Sequence, residues 1–336
     1  MRKCLVVLGV LTAPLMAQDI HFSAITAIRT YFNPATTGLM EADFRIGAGY
    51  RDQWRPVVLP YTTAVVFGDV ALARGKLYNG WFGAGLSATL DRATPYLKWN
   101  LFNLTGAYHQ ILGGDGNAVL SIGLGLGYYT RTFTITDLYS EQQITPDGPN
   151  STLPSGEAFE SNQISYIDLQ GGVMLTYKVY DHTLFFGLTF KHLNGPREYF
   201  FDQENRRRLN PNVFMGAEIM LSKDMWSGWS IKPFVFYQYL SAAQEPLIGL
   251  YMRYLHSLRN PMLAFEFGAW WRAPSRTIAP SVRFQYEGFI ITFSYDINIA
   301  QVKQDLMLSA GPEIFIEVSF PMPSKRGMGT LTCPRF

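Results

Sequence analysis

From about residue 42 onward the chain repeats one pattern: roughly ten to fourteen residues of alternating apolar and polar side chains, then a polar break. In Phe289-Ile-Ile-Thr-Phe-Ser-Tyr-Asp-Ile-Asn-Ile299, the residues Phe289, Ile291, Phe293, Tyr295 and Ile297 share one face, while Thr292, Ser294, Asp296 and Asn298 share the other. Successive side chains of a strand point to opposite faces, so this period of two reads as a strand with one apolar and one polar side. Val282, Phe284 and Tyr286 likewise oppose Ser281, Arg283, Gln285 and Glu287. Phe44, Ile46, Ala48 and Tyr50 oppose Asp43, Arg45, Arg51 and Gln53, and Ile314, Ile316, Val318 and Phe320 oppose Glu313, Phe315, Glu317 and Ser319. The alternation predicts fourteen strands, near 42–53, 60–73, 78–90, 95–110, 117–131, 164–178, 182–193, 210–222, 229–241, 244–256, 261–272, 275–287, 288–299 and 306–320. The segments at 229–241 and 244–256 are apolar on both faces. No stretch keeps helical spacing, so the strands form one domain.

A soluble sandwich buries its apolar face, whereas a membrane barrel turns it toward lipid and lines its bore with the polar one. Strand length separates the two, because soluble strands average about five or six residues and a tilted membrane strand needs about nine to eleven. Charged residues make up only 16% of the chain, below the roughly 25% of a soluble domain, and aromatics reach 15%. The expectation is an all-β, transmembrane antiparallel β-barrel of about fourteen strands over residues 42–320. Beyond the first residues there is no run of about 18 apolar residues, which excludes a helical transporter. An even strand count places both ends of the barrel on the periplasmic side. The two longest breaks, 132–163 and 194–209, then face outward, while Arg74-Gly-Lys76, Gly113-Gly-Asp-Gly116, Tyr180-Asp-His182 and Glu287-Gly288 make short inward turns. Tyr128-Tyr129, Tyr199-Phe-Phe201, Trp270-Trp271, Tyr237 and Tyr239 lie near segment ends, where amphipathic rings form headgroup girdles.

Residues 1–17 have the layout of a secretory leader: Arg2 and Lys3, a short apolar centre, and Ala17 at the cut. Without Arg2 and Lys3, 26 basic residues balance 26 acidic ones, a neutral surface unsuited to nucleic acid. Cys4 leaves with the leader and Cys333 stands alone, so neither an internal disulfide nor a Cys/His metal site is expected. No cofactor motif or catalytic spacing surrounds the histidines, which are expected at the membrane interface. Gly123-Leu-Gly-Leu-Gly127 lies inside a strand, where glycine relieves crowding or permits curvature. The charges Asp43, Arg45, Arg283, Glu287, Asp296 and Glu317 fall on polar faces and should line a lumen filled by water and mutual ion pairs, or else form a constriction or a plug-docking surface. Residues 18–41 form either that plug or a periplasmic tether, with a chain reversal at Asn33-Pro34. Residues 321–336 form a periplasmic tail.

Asn33, Pro34, Ala35 and Gly38, followed by Tyr50, Arg51, Gln53 and Trp54, Asp69, and the closing Cys333, Pro334 and Phe336, make up a set that resembles the PorP/SprF family of Bacteroidetes outer-membrane proteins. The resemblance implies a component of the type IX secretion system and gliding apparatus. Its partners would be the periplasmic ring lipoprotein and secreted proteins or large adhesins, with outer-membrane lipid around it. On the same reading Asn33, Pro34, Gly38, Tyr50, Arg51, Gln53 and Trp54 shape the periplasmic mouth and first strand, and the loops 132–163 and 194–209 meet cargo. The competing reading is an outer-membrane transporter of small apolar molecules.

Overall fold

The computed structural model describes residues 22–53, 61–92, 97–114, 116–133, 141–146, 148–150, 152–154, 163–198, 206–224, 227–240, 243–256, 263–299 and 311–321. The leader, residues 18–21, Trp54, the 199–201 aromatics and Cys333, Pro334 and Phe336 lie outside them. The alternating segments form β1 (Phe44–Gln53), β2 (Tyr61–Leu77), β3 (Gly80–Arg92), β4 (Leu97–Leu112) and β5 (Ala118–Phe133). A separate two-stranded ribbon, β6 (Ile144–Thr145) and β7 (Gly148–Pro149), follows. The barrel resumes with β8 (Gln163–Val179), β9 (His182–Lys191), β10 (Asn210–Lys223), β11 (Gly228–Leu240) and β12 (Ala243–Leu255). It ends with β13 (Leu263–Arg272), β14 (Thr277–Tyr286), β15 (Phe289–Asn298) and β16 (Gly311–Phe320).

Fourteen of these strands close into one antiparallel barrel in which β16 pairs with β1. Closure leaves no unpaired edge, which a lipid environment requires. Each matches one alternating sequence segment, with ends shifted by a few residues; β2 runs on to Leu77 and β16 starts only at Gly311. The turns at 78–79, 180–181 and 287–288 crowd one end of the barrel, and the long connections 134–162 and 192–209 leave from the other. The short-turn end is the periplasmic one.

The outer face carries half-exposed Ile46, Leu86, Phe102, Leu124, Ile167, Leu250, Val282 and Ile316. Arg45, Arg51, Asp69, Arg253, Arg283, Asp296 and Glu317 are buried on the inner face. The bore is a packed core: Phe22, Ile28, Tyr31, Phe32 and Leu39 from the N-terminal segment meet Trp81, Phe185, Phe234, Phe236, Trp270 and Phe315 of the wall. This explains why 229–241 and 244–256 are apolar on both sides, since Phe234, Phe236, Leu247 and Tyr251 pack inward where a water-filled lumen would want polar groups.

Three expectations need correction. Glu287 does not line the lumen: β14 ends at Tyr286, and Glu287 sits exposed in the β14–β15 turn at φ 49°. The aromatic doublets are not wholly girdles. Tyr128 and Trp271 are exposed on the outside, whereas Tyr129 and Trp270 are buried within, because neighbours on a strand face opposite ways. His109 and His192 are buried inside the barrel rather than at the membrane interface.

The sidedness predicts a measurable asymmetry. Leu124→Arg, at a lipid-facing site 68% exposed near the middle of β5, should destabilise the barrel by about 2–4 kcal/mol. Arginine in place of Tyr286, 47% exposed at the periplasmic end of β14, should cost about 0–1 kcal/mol. Urea unfolding in lipid vesicles measures both.

A plug seated on glycines and buried ion pairs

Residues 22–43 fold inside the barrel as short turns rather than as a long element. A 3-10 turn (Ile25–Ala27), one helical turn (Arg29–Phe32) and a second 3-10 turn (Pro34–Thr36) follow one another. Asn33 caps the last of these: its Oδ1 accepts from Ala35 N at 2.9 Å, and Pro34 stands where no N–H donor is needed. Asn33 Nδ2 donates to Val173 O of β8 at 3.0 Å, and Thr36 Oγ1 donates to Asn33 O at 2.8 Å. Gly38 follows at φ +72°, and a Cβ there would lie 2.7 Å from Gly83 Cα of β3. The Asn-Pro-Ala…Gly sequence is therefore a compact knot pressed backbone to backbone against the wall.

The wall provides the matching glycines. A side chain on Gly123 of β5 would overlap Pro34 and Ala35, one on Gly172 of β8 would overlap Asn33, and one on Gly83 would overlap Thr37 O. Of the two sequence-level readings of Gly123, relief of crowding is the one the packing gives.

The lower end of the plug is held by Asp69, in the middle of β2. Its carboxylate accepts Gly38 N at 2.7 Å and receives the Arg45 guanidinium through two bonds of 2.7 and 2.9 Å. The β1–β2 register places Arg45 directly opposite Asp69. Glu317 of β16 lies 3.6 Å from Arg45 and 3.5 Å from Arg29 of the plug. Trp81 Nε1 donates to Gly38 O at 3.0 Å, and His109 Nε2 lies 2.8 Å from Thr37 O. A carbonyl only accepts, so Nε2 carries the proton and Nδ1 accepts from the Ser121 hydroxyl at 2.6 Å. Arg74 closes the periplasmic rim, donating to Met40 O at 2.7 Å and pairing with Asp43 at 3.3 Å. Asp43 thus serves the rim, while Arg45, Asp296 and Glu317 face the lumen.

The upper end is held by Glu313 of β16, which accepts Ser23 N and Ala24 N, both at 2.9 Å. Arg51 lies 2.9 Å from both Glu313 and Asp296, and Arg272 donates to Ser23 Oγ at 3.0 Å. Arg51 and Arg45 sit toward opposite ends of β1, so the plug descends from the outer half of the bore to the periplasmic rim. Tyr50, Arg51 and Gln53 therefore stand at the outer end of β1, not at the periplasmic mouth. Tyr50 faces lipid, Gln53 turns its amide toward Arg51, and Gly38 and Asp43 lie nearest the periplasm. Both anchors fall on the seam where β1 closes against β16.

Arg283 stands on β14, directly opposite Glu266 of β13, beside a group in which Lys232 pairs with Glu266 at 2.8 Å and Arg253 with Glu218 at 3.1 Å. A cavity of about 30 Å³ remains between plug and wall, lined by Phe32, Asn33, Met174, Asn212, Phe214 and Phe236. Among the described residues no group of three His, Cys, Asp or Glu side chains is placed to hold a metal ion. Sequence reasoning did not pick out Trp81, His109 or Arg29. The inward phase of Trp81 and His109 in β3 and β4 was the available signal.

A closed barrel with an apolar lipid face and its own N-terminal segment packed in the bore is an outer-membrane β-barrel protein of the plugged kind. The chain belongs to the PorP/SprF family of type IX secretion system membrane proteins, whose family model matches residues 15–310. It is accordingly an outer-membrane protein associated with type IX secretion. No curated protein sequence matches it. Among solved structures it is similar to the Ralstonia pickettii toluene transporter TbuX, with 11% identity, 89% of this chain and 96% of that chain covered, and a TM-score of 0.48. The CymD monoaromatic hydrocarbon channel matches at 10% identity over 89% of this chain and 94% of that one, TM-score 0.48. The NalP translocator domain from Neisseria meningitidis gives 10% identity, 83% and 89% coverage and a TM-score of 0.31. At these values the likeness extends no further than the barrel.

Proposed function

We propose that this protein is a closed, protein-binding scaffold of the type IX secretion system, supporting export or surface anchoring of secreted proteins or large adhesins, and through them gliding motility. The observation that carries this reading is the plug: held at both ends by buried carboxylates and seated on wall glycines, it packs, among the described residues, into the bore that a polypeptide would have to cross. Work is then done at the two rims. The periplasmic rim meets the ring lipoprotein, and the outward connections 132–163 and 194–209 meet cargo. Residues 1–17 act as the cleaved leader, and the barrel binds rather than catalyses.

A second reading, a transporter for small apolar molecules, draws on the mostly apolar cavity beside Phe32, Phe214 and Phe236. That cavity holds only a few water-sized groups, so a hydrocarbon would have to shift the plug.

Affinity purification of the tagged protein from outer membranes, with surface display of cargo measured in a deletion strain, tests the first reading. A ring lipoprotein or adhesin should co-purify, and deletion should remove cargo from the surface. Hydrocarbon uptake by liposomes carrying the protein, with no co-purifying protein and normal cargo display, would overturn it.

A further inference from the structure

The β9–β10 connection carries a second set of buried charges on the outer side of the barrel, apart from the plug's anchors. Its two arms run together: Arg197 and Arg206 form an antiparallel bridge, and Arg207 N donates to Pro196 O at 2.9 Å. From this pair of arms Glu198 turns inward, with its side chain 5% exposed. It forms ion pairs with Arg131 near the outer end of β5 and, at 2.7 Å, with Arg207. The Arg131 guanidinium lies over the ring of Trp99 on β4, 3.8 Å from its centroid, and that of Arg207 lies 5.6 Å away. One residue into the connection, His192 Nδ1 meets Asp168 of β8 at 2.9 Å.

The cluster divides into two halves of different rigidity. Trp99 and Arg131 stand on paired strands, directly opposite one another in the β4–β5 register. Glu198 and Arg207 stand on the connection. A guanidinium stacked on an indole turns its hydrogen-bonding edge, not its face, toward a carboxylate, and the ring cuts the conformational cost of holding it there. The wall alone is thus a ready carboxylate receptor, and the chain fills it with its own Glu198. The receptor faces the bore, since Trp99 and Arg131 are buried while Leu124 and Tyr128 face outward. It therefore lies on the side of the wall away from lipid.

We propose that Arg131 and Trp99 form a binding site for an acidic peptide on the bore side of the wall at the outer mouth, and that Glu198 occupies this site in place of the partner. A partner that presents an aspartate, a glutamate or a chain-terminal carboxylate displaces Glu198 from Arg131. The inference rests on the protein-binding reading above and names the chemistry of the partner.

The test uses the full purified chain in detergent and a fluorescein-labelled hexaglutamate peptide, with hexaglutamine as control, followed by anisotropy. Glu198→Ala should bind hexaglutamate about tenfold more tightly than the unaltered chain, because a charge-assisted competitor is gone. Adding Arg131→Gln should abolish the gain, and hexaglutamine should not bind. Equal affinity with and without Glu198, or a gain that survives loss of Arg131, would overturn the site. Should Glu198→Ala fail to fold, Glu198→Gln read by hydrogen exchange replaces it. Amides of 192–198 should then exchange faster, and more so with hexaglutamate present; unchanged exchange contradicts the proposal. Peptide binding is read without secretion, so a failed co-purification with intact peptide binding would sink the functional reading and leave the site standing.

Discussion

Replacing Asp69 by alanine should destabilise the barrel by about 3–5 kcal/mol, among the largest effects expected of a single side chain here. The cost comes from what is left behind rather than from the lost attraction. Arg45 is buried, donates two hydrogen bonds to Asp69, and would retain Glu317 at 3.6 Å. Gly38 N would lose its acceptor as well. A buried guanidinium without its carboxylate keeps the full desolvation penalty and loses the compensating bonds. The pair itself need not stabilise the fold, so replacing both partners together, Arg45→Met with Asp69→Leu, should recover most of the loss. Urea unfolding in vesicles reads both variants. A single-variant cost of only about 0–1 kcal/mol, typical of solvent-exposed pairs, would mean that the Arg45–Asp69 pair is hydrated and that the lower anchor is misread.

Gly123→Leu should drive the Asn33–Pro34–Ala35 knot off its seat while the strands stay paired. Any side chain at this inward position overlaps the plug backbone, which cannot yield as a flexible side chain would. Overpacking of this sort typically costs about 1–3 kcal/mol, and moving the plug relieves it. Gly106 of β4 is the control: it is exposed on the lipid side, and the nearest atom to a Cβ there lies 3.8 Å away. Hydrogen exchange across residues 22–43 should rise sharply in Gly123→Leu and stay unchanged in Gly106→Leu. Equal behaviour of the two variants would remove the glycine seat from the account.

The strands were legible because their signal is local. A period of two needs only neighbouring residues, and the half-exposed series Ile46, Tyr50 and Ile314, Ile316 alternates with buried Arg45, Arg51 and Glu313, Glu317 as the pattern implies. Glu287 shows where it stops: counting by twos runs past Tyr286 into a turn, and the backbone there no longer presents alternate faces. The doublets Tyr128-Tyr129 and Trp270-Trp271 were misleading because composition marks a membrane interface without saying which of two adjacent rings faces it.

The site was only half legible, since its parts come from distant stretches of chain. Asn33, Pro34, Gly38, Arg45 and Asp69 stood out in the sequence, yet their joining depends on the β1–β2 register and on the plug lying inside. A turn-rich segment of this length could equally have been a tether. His109 has no ligand-like spacing to mark it; its role arises because β4 places it opposite Ser121 and beside Thr37.

The central claim is that residues 22–43 fill the bore and make the barrel a closed scaffold. Conductance of the purified, unaltered protein in planar bilayers tests it most directly, with a variant lacking residues 22–40 in parallel. The unaltered chain should show no steady pore current, and the deletion should open stable channels. Persistent porin-like conductance from the unaltered chain would contradict the account.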